Sequence, residues 1–176
     1  SGRTDAGVHA LGQVAHFDTN SAVPAEKFSN ALNAVLPADV KIVRSERADE
    51  SFNARFSAKK KTYEYHIYVS PFPRPLKSRY AAQICYPVNV EAMNSVAARF
   101  VGEHDFRCFL AANSSVTGNG FLYNMVRIMA GTLVAAGEGK INAMDVDEIL
   151  EKGERSLAGK TMPAQGLTLK SVEYDG

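Results

Sequence analysis

The chain has 176 residues, of which 45% are hydrophobic and 22% are charged. This composition is typical of a globular domain with its own core, and it excludes a disordered tail. The longest apolar run, 128–136, is broken by Gly131 and Thr132 and is shorter than the roughly 20 residues that a membrane span needs. Cys85 and Cys108 fit neither a disulfide framework nor a zinc motif, so we expect a reducing, cytoplasmic location without a membrane.

Basic and acidic residues nearly balance over the whole chain, but they are unevenly distributed along it. The formal net charge is +1; residues 1–88 hold 12 basic and 8 acidic residues, whereas residues 89–176 hold 8 and 11. The basic excess is concentrated at Arg55, Lys59, Lys60 and Lys61, and then at Arg74, Lys77 and Arg79. Such a run suits a polyanion if it folds onto one face, although a solvated basic edge explains the charge equally well.

The first third of the chain predicts two strands and a helix. Residues 13–19 alternate apolar and polar side chains, which indicates a strand. Residues 24–36 predict an amphipathic helix, because their apolar side chains recur at helical spacing at Phe28, Leu32, Val35 and Leu36. Residues 40–43 are apolar enough to predict a second strand.

The middle of the chain predicts two further strands separated by a proline-rich segment. Residues 61–69 alternate strongly and place Tyr63 and Tyr65 on one face of a strand. We expect no regular structure in the segment that holds Pro71, Pro73 and Pro75. Residues 80–85 are compatible with another strand.

The C-terminal half predicts three helices followed by a strand. The helices are expected over 90–101, 122–136 and 142–152, and the strand over 167–174. The helix over 122–136 is apolar on all sides, which indicates that it is buried. Because helices and strands alternate irregularly and several strands are adjacent, we predict an α+β fold with a mostly antiparallel sheet.

Several catalytic and metal-binding motifs can be excluded directly. Gly139 and Lys140 resemble the end of a phosphate-binding loop, but the following hydroxyl position holds Ile141. The chain has no GxSxG nucleophile motif, and its four histidines never stand at the spacing of metal ligands. The residues therefore support neither a phosphate-binding loop, nor a nucleophile elbow, nor a metal site built from histidines.

The opening segment, 2–10, is the most informative part of the sequence. Gly2 and Gly7 bracket Arg3, Thr4 and Asp5, which predicts a tight loop that carries one guanidinium and one carboxylate ahead of a strand. From residue type alone, Asp5 is best explained as a turn or cap residue.

This segment resembles the signature loop of the TruA family of tRNA pseudouridine synthases. The similarity extends in order through eight segments, which are 1–10 (SGRTDAGVHA), 12–17 (GQVAHF), 33–37 (NAVLP), 52–58 (FNARFSA), 61–65 (KTYEY), 104–106 (HDF), 120–127 (GFLYNMVR) and 166–167 (GL). Because the segments span the chain and the first is long and distinctive, the sequence is identified as a member of this family.

The resemblance implies a pseudouridine synthase fold, in which a mixed, mostly antiparallel sheet is flanked by helices and two similar halves surround a central RNA-binding cleft. Residues 1–57 then belong to the N-terminal half and 58–176 to the C-terminal half. By the same resemblance, we expect the family's upstream strand and helix to be missing here. Because residues 1–5 read as neither a natural start nor a signal peptide, we expect that something upstream has been cut away. A further segment is expected to be missing near 115–117.

The resemblance also implies the reaction. Family members break the N-glycosidic bond of a tRNA uridine, turn the base and rejoin it to the ribose through C5, at positions 38, 39 and 40 of the anticodon arm. One ionised carboxylate is required, and the match assigns it to Asp5. Whether it attacks the base, attacks the sugar or takes a ribose proton remains open. The family's arginine corresponds to Arg127, whose apolar neighbours argue against an ordinary surface position, and we hypothesise that it pairs with Asp5.

The remaining expected substrate contacts also come from the resemblance. Arg3 corresponds to the residue that fills the space left by a flipped-out base, and Tyr63 corresponds to the tyrosine on which that base stacks. On sequence pattern alone, Tyr63 is an ordinary core residue of a strand. The run Arg55, Lys59, Lys60 and Lys61 is a candidate for backbone contacts with tRNA. The family acts as homodimers. The main alternative is a module of the same fold that binds or chaperones tRNA without catalysis.

Overall fold

The computed structural model describes residues 2–111 and 124–174, which fold as two compact units. Among the described residues, the first unit contains 14–60 and 172–174 together with Gly2. The second contains 3–13, 61–111 and 124–171. The expected missing segment near 115–117 lies outside the described residues.

The first unit contains one of the three elements predicted for it. A 3₁₀ turn, Ala25–Lys27, leads into the helix α1, Phe28–Asn33, which confirms the helix in a shorter form. The strand expected over 13–19 is wrong, because alternating side chains do not by themselves create the regular ladder of backbone hydrogen bonds that defines a strand. In its place, the His16 ring accepts a hydrogen bond from the backbone N–H of Ala54 at 3.2 Å.

The strand expected over 40–43 is also wrong, for a reason that involves one side chain. The Asn33 carboxamide accepts from the backbone N–H of Ile42 and donates to its carbonyl oxygen, both at 2.8 Å. These are the backbone groups through which Ile42 would join a sheet. A polar side chain thereby takes the place of a neighbouring strand.

The long strand expected over 61–69 is divided at His66. The strand β2 covers Ala58–Tyr65, and β3 covers Ile67–Val69. The N–H of His66 donates to the carbonyl of Gly166 at 2.8 Å, whereas its carbonyl accepts from the N–H of Ala82 at 2.9 Å. The chain changes pairing partner at this residue, which alternation alone does not reveal.

The strand β4, Ala82–Ile84, confirms the element expected over 80–85 in a shorter form and pairs in parallel with β3. Parallel neighbours require a crossover, which the proline-rich segment supplies. This segment contains a short helix, α2, Pro75–Ser78, which corrects the expectation of no regular structure there. Pro75 is tolerated because it occupies the first turn, where a backbone N–H has no helical acceptor.

The helices of the second unit agree with the helical periodicity. They are α3, Val90–Ala97, followed by a 3₁₀ turn Ala98–Phe100; α4, Met125–Gly137; and α5, Ala143–Lys152. Two of them begin at asparagines that cap the first turn, Asn89 and Asn142. Residues 122–123 of the predicted third helix lie outside the described residues. None of the helices in the described residues has the length and apolar character needed to cross a bilayer.

The short strand β1, His9–Ala10, and the last strand β5, Leu167–Tyr174, complete two sheets in the order β1-β5-β2 and β3-β4. Strand β5 has the bounds predicted for it. It pairs with β1 in parallel, with His9 opposite Thr168. Both pairings with a described register are parallel. The predominance of antiparallel pairing stays a prediction. The fold is α+β, with a mixed sheet and flanking helices.

Helix α4 lies at the centre of the second unit and confirms its expected burial. It contributes Met125 and Ile128 to one apolar cluster and Ala130 and Val134 to another. Gly131 allows the segment after α5 to pass directly over the helix, because a Cβ there would lie 1.8 Å from the carbonyl oxygen of Lys160. The same approach brings residues 159–162 beside the first turns of α4.

Candidate active site

The opening segment forms the tight loop predicted for it. The N–H of Val8 donates to the carbonyl of Asp5 at 3.1 Å, and Gly7 has φ 84°, a backbone conformation that glycine adopts without strain. The loop continues into β1, which is hydrogen-bonded to β5. The side chain of His9, the first residue of β1, also donates through Nε2 to the carbonyl of Arg79 at 2.8 Å. These contacts fix the backbone on which Asp5 is carried.

Asp5 and Arg127 are brought together as hypothesised. Arg127 Nη1 donates to Asp5 Oδ2 at 2.9 Å, and the two side chains retain only 24% (Asp5) and 16% (Arg127) of their exposure. A charged carboxylate loses hydration in such a place, and a paired guanidinium offsets that cost. Their catalytic roles remain predictions.

Arg127 itself is held by two further acceptors. Its Nε donates to the carbonyl of Met162 at 2.7 Å, and its Nη1 donates to the side-chain oxygen of Asn124 at 2.6 Å. The N–H of Met162 in turn donates to the carbonyl of Arg127 at 3.2 Å. The close packing at Gly131 therefore has a consequence for the site, because it places the Met162 carbonyl beside Arg127.

The pairing occupies only one oxygen of Asp5. Within residues 2–111 and 124–174, neither Asp5 Oδ1 nor Arg127 Nη2 has a hydrogen-bond partner. The arrangement differs from the two-bond fork that arginine and carboxylate often form. It leaves one carboxylate oxygen and one terminal guanidinium nitrogen available to a bound molecule.

Tyr63 lies on β2, and the Asp5 carboxylate is close enough to it to affect the ionisation of its hydroxyl. Burial, with a smaller contribution from the Asp5 carboxylate, raises the pKa of Tyr63, so its hydroxyl is neutral at pH 7. Tyr65 lies on the same face, as the alternation predicted, and its hydroxyl donates to the carbonyl of Pro163 at 2.6 Å. Burial also raises the pKa of Tyr65, and the nearby Arg127 cation opposes that rise.

These two tyrosines form one wall of an apolar cavity of about 230 Å³. The other walls are the 3₁₀ turn after α3 and one face of α4, with the lining residues Phe100, Val126, Met129, Ala130 and Leu133. A larger depression of about 370 Å³ lies at α5 and is lined by four carboxylates, those of Glu103, Asp105, Asp147 and Glu151. Its negative charge is unsuited to a polyanion.

The other predicted contact residues are Arg3 and the basic run. Arg3 is exposed, and among the described residues its side chain has no ion-pair partner. Lys60 pairs with Glu173 at 3.2 Å, and the Arg55 guanidinium lies 5.2 Å from the centre of the Phe56 ring. Because Lys59, Lys60 and Lys61 follow one another in β2, alternate side chains point to opposite faces. The basic run is therefore divided between two faces.

Sequence reasoning missed two contributors to this site, Asn124 and the carbonyl of Met162. A main-chain acceptor leaves no residue-type signal. Asn124 does leave one, because it precedes Arg127 by three residues, and residues three apart are neighbours on a helix. No three or more His, Cys, Asp or Glu side chains within the described ranges are grouped so that they could hold a metal ion.

Comparison with known proteins gives one consistent result. Residues 111–175 match a family model described as tRNA pseudouridine synthase. The chain is 46% identical to tRNA pseudouridine synthase A of Bacillus subtilis (strain 168) over 198 residues, which cover 99% of this chain and 80% of the relative. It is 43% identical to tRNA pseudouridine synthase A of Acetivibrio thermocellus over 195 residues, which cover 98% and 80%.

Both alignments are longer than the 176 residues of this chain, so the relatives contain residues that have no counterpart here. The identity is high and nearly the whole chain is covered. The chain belongs to the tRNA pseudouridine synthase A family.

Proposed function

We propose that this chain isomerises uridine to pseudouridine in the anticodon arm of tRNA, at positions 38, 39 and 40, and that Asp5 is the catalytic carboxylate. Membership of the tRNA pseudouridine synthase A family supports the isomerase activity and the tRNA substrate. The observation that carries the proposal is the contact of 2.9 Å between Arg127 Nη1 and Asp5 Oδ2, which leaves Oδ1 open.

The chemistry needs no electron or phosphate transfer. The bond between N1 and C1′ breaks, the base turns and a bond between C5 and C1′ forms. C5 releases its hydrogen as a proton and N1 takes up a proton, so the product is an isomer of the substrate. Asp5 Oδ1 is the atom available to attack the base, to attack the sugar or to take a ribose proton. Arg127 orients the carboxylate, because its own guanidinium is held by the carbonyl of Met162.

A base stacked in RNA cannot present its glycosidic bond to a carboxylate, so we propose that the target uridine flips out. Tyr63 would provide the surface on which it stacks, since its ring lies at the apolar cavity and close to Asp5. Arg3 would fill the vacated space, because it stands two residues before Asp5 and its exposed side chain can reach outward. The basic residues Arg55, Lys59, Lys60 and Lys61 would contact phosphates.

We further propose that the chain has the two-halved architecture of its family, with 1–57 in the N-terminal half, 58–176 in the C-terminal half and an RNA-binding cleft. By the same resemblance, it would act in the cytoplasm as a homodimer, without a metal or cofactor.

The decisive assay is tritium release from anticodon-arm tRNA that carries tritium at uridine C5. Release by the chain but not by Asp5→Asn supports both the activity and the role of the carboxylate. Asp39→Asn is a matched control, because Asp39 is an exposed aspartate of the first unit that has no predicted role. The Bacillus subtilis relative serves as the positive control. If that relative releases tritium while this chain binds the same tRNA without release, the chain is a binding module.

A further inference from the structure

Asn124 has a backbone conformation that few residue types adopt. It precedes α4 directly with φ 62° and ψ 4°, in the left-handed region. Among the described residues, it is the sole non-glycine residue with a positive φ. Asparagine, aspartate and glycine tolerate this region at small cost, whereas other side chains are strained there. The position is thereby restricted to a short list of residues.

The side chain of Asn124 does not serve the usual purpose of an asparagine at the start of a helix. Such residues cap the first turn by accepting a backbone N–H, as Asn89 and Asn142 do in this chain. The Asn124 side chain makes no capping hydrogen bond. Its oxygen instead accepts from Arg127 Nη1 at 2.6 Å. The contact is therefore directed at the guanidinium.

This contact determines how Arg127 meets Asp5. The Met162 carbonyl occupies Nε, and Asn124 takes one of the two N–H groups of Nη1. One N–H of Nη1 remains for Asp5 Oδ2, and the carboxylate is held by a single bond. Without the Asn124 side chain, no hydrogen bond from that residue would hold Nη1. The guanidinium could then rotate and form a two-bond fork with both oxygens of Asp5.

We propose that Asn124 is a positioning residue, which holds Arg127 in a one-bond pairing with Asp5 and so keeps Oδ1 available for the reaction. The consequence for turnover rests on the proposed function. The immobilisation of the guanidinium is independent of the proposed function, and it can be measured without any substrate.

Kinetics of Asn124→Gly and Asn124→Ala test the functional consequence. Glycine removes the side chain but suits the left-handed backbone, whereas alanine removes the same contact and adds strain. We expect both variants to lose about tenfold in the single-turnover rate, with an unchanged Kd for tRNA, while alanine alone lowers the melting temperature. A glycine variant within twofold of the unmodified rate would overturn the proposal, because it would make Asn124 merely structural.

Nitrogen-15 NMR of arginine-labelled protein tests the positioning itself. We expect Arg127 to show two resolved Nη signals in the unmodified chain and in Asn124→Asp, which keeps an acceptor oxygen. In Asn124→Gly the two signals should merge as the guanidinium rotates. Arg127→Lys assigns the signals by removing them. Equal rotation in the unmodified and glycine chains would overturn the proposal. An unmodified chain without turnover would instead count against the proposed function, and the NMR result would still decide the role of Asn124.

Discussion

A single hydrogen bond of 2.9 Å joins Arg127 Nη1 to Asp5 Oδ2 across 122 residues of sequence. Both groups are mostly shielded from solvent, and the Arg127 side chain is held independently by the Met162 carbonyl. The pair therefore lies between the first loop of the chain and its central buried helix. Removing either charge leaves the other poorly hydrated and uncompensated.

Arg127→Leu is expected to abolish turnover while leaving tRNA binding largely intact. The leucine preserves apolar packing but removes the charge that faces Asp5, and losses of about 100-fold or more are typical when such a preorganised donor is removed. Single-turnover tritium release and a filter-binding Kd measure the two effects separately. Arg127→Lys is the control, since it keeps the charge and loses the guanidinium that also binds Met162 and Asn124. A leucine variant with a nearly normal rate would disprove the functional importance of the pair.

Tyr63 can be tested with two substitutions that separate its ring from its hydroxyl. Tyr63→Phe keeps the stacking surface, so tRNA should bind normally, and any loss in single-turnover rate reports the hydroxyl. Tyr63→Ala should weaken binding by the stacking contribution, about 1–3 kcal/mol, and lose activity as well. Full activity in the alanine variant would contradict the stacking role and favour the simpler view of Tyr63 as a strand residue.

Much of the second unit could be predicted from local pattern, because its helices have strong apolar periodicity and two begin with asparagine caps. Strand β5 alternates clearly and was located at its observed bounds. The failures share a physical origin. Residues 13–19 have the pattern of a strand but form no regular strand, and the Asn33 side chain satisfies the backbone at Ile42. Pairing depends on distant residues, which local alternation does not encode.

In the candidate site too, some features could be predicted from the sequence, whereas others depend on long-range packing. Family resemblance predicted roles for Asp5, Arg127 and Tyr63, because their residue types suit the proposed chemistry. The Met162 carbonyl could not be predicted, because any residue offers the same main-chain oxygen. Its position follows from the close approach at Gly131, a long-range packing effect. The spacing of Asn124 from Arg127 is visible in the sequence, but the left-handed backbone that directs its side chain to the guanidinium is not.

Alkaline pH should destabilise the fold through Tyr65 and Tyr63. Burial raises the pKa of both phenols in the folded chain, whereas in the unfolded chain they ionise near the ordinary value of about 10. Unfolding then releases protons, so the free energy of unfolding should be insensitive to these groups below pH ~10 and fall as the pH rises above it. Urea denaturation across this range tests the effect.

The matched variant for this measurement is Tyr65→Phe. It should be less stable at neutral pH, because the hydrogen bond to the Pro163 carbonyl is lost. Its stability should also fall less steeply above pH ~10, since one titrating phenol is absent. An unchanged slope in this variant would show that the alkaline loss arises elsewhere.

Thr132 offers a test of the contact that places Met162. Its buried hydroxyl accepts from the N–H of Gly159 at 2.8 Å and donates to the carbonyl of Ile128 at 3.0 Å. Thr132→Val has nearly the same shape but leaves the Gly159 N–H without that acceptor, at a cost of about 1–3 kcal/mol in the free energy of unfolding. Thr132→Ser keeps the hydroxyl and should lose less stability. Denaturant titration separates the two, and equal losses would show that methyl packing dominates.

Salt dependence of tRNA binding distinguishes two lysines that are adjacent in β2. Lys60 is already paired with Glu173, whereas Lys61 has no ion-pair partner within the described ranges. If Lys61 contacts a phosphate, Lys61→Gln should reduce the slope of log Kd against log salt by about 1, because one fewer counterion is released. Lys60→Gln should change that slope less, since Glu173 already offsets its charge. Equal slopes in the unmodified chain and Lys61→Gln would mean that Lys61 contacts no phosphate.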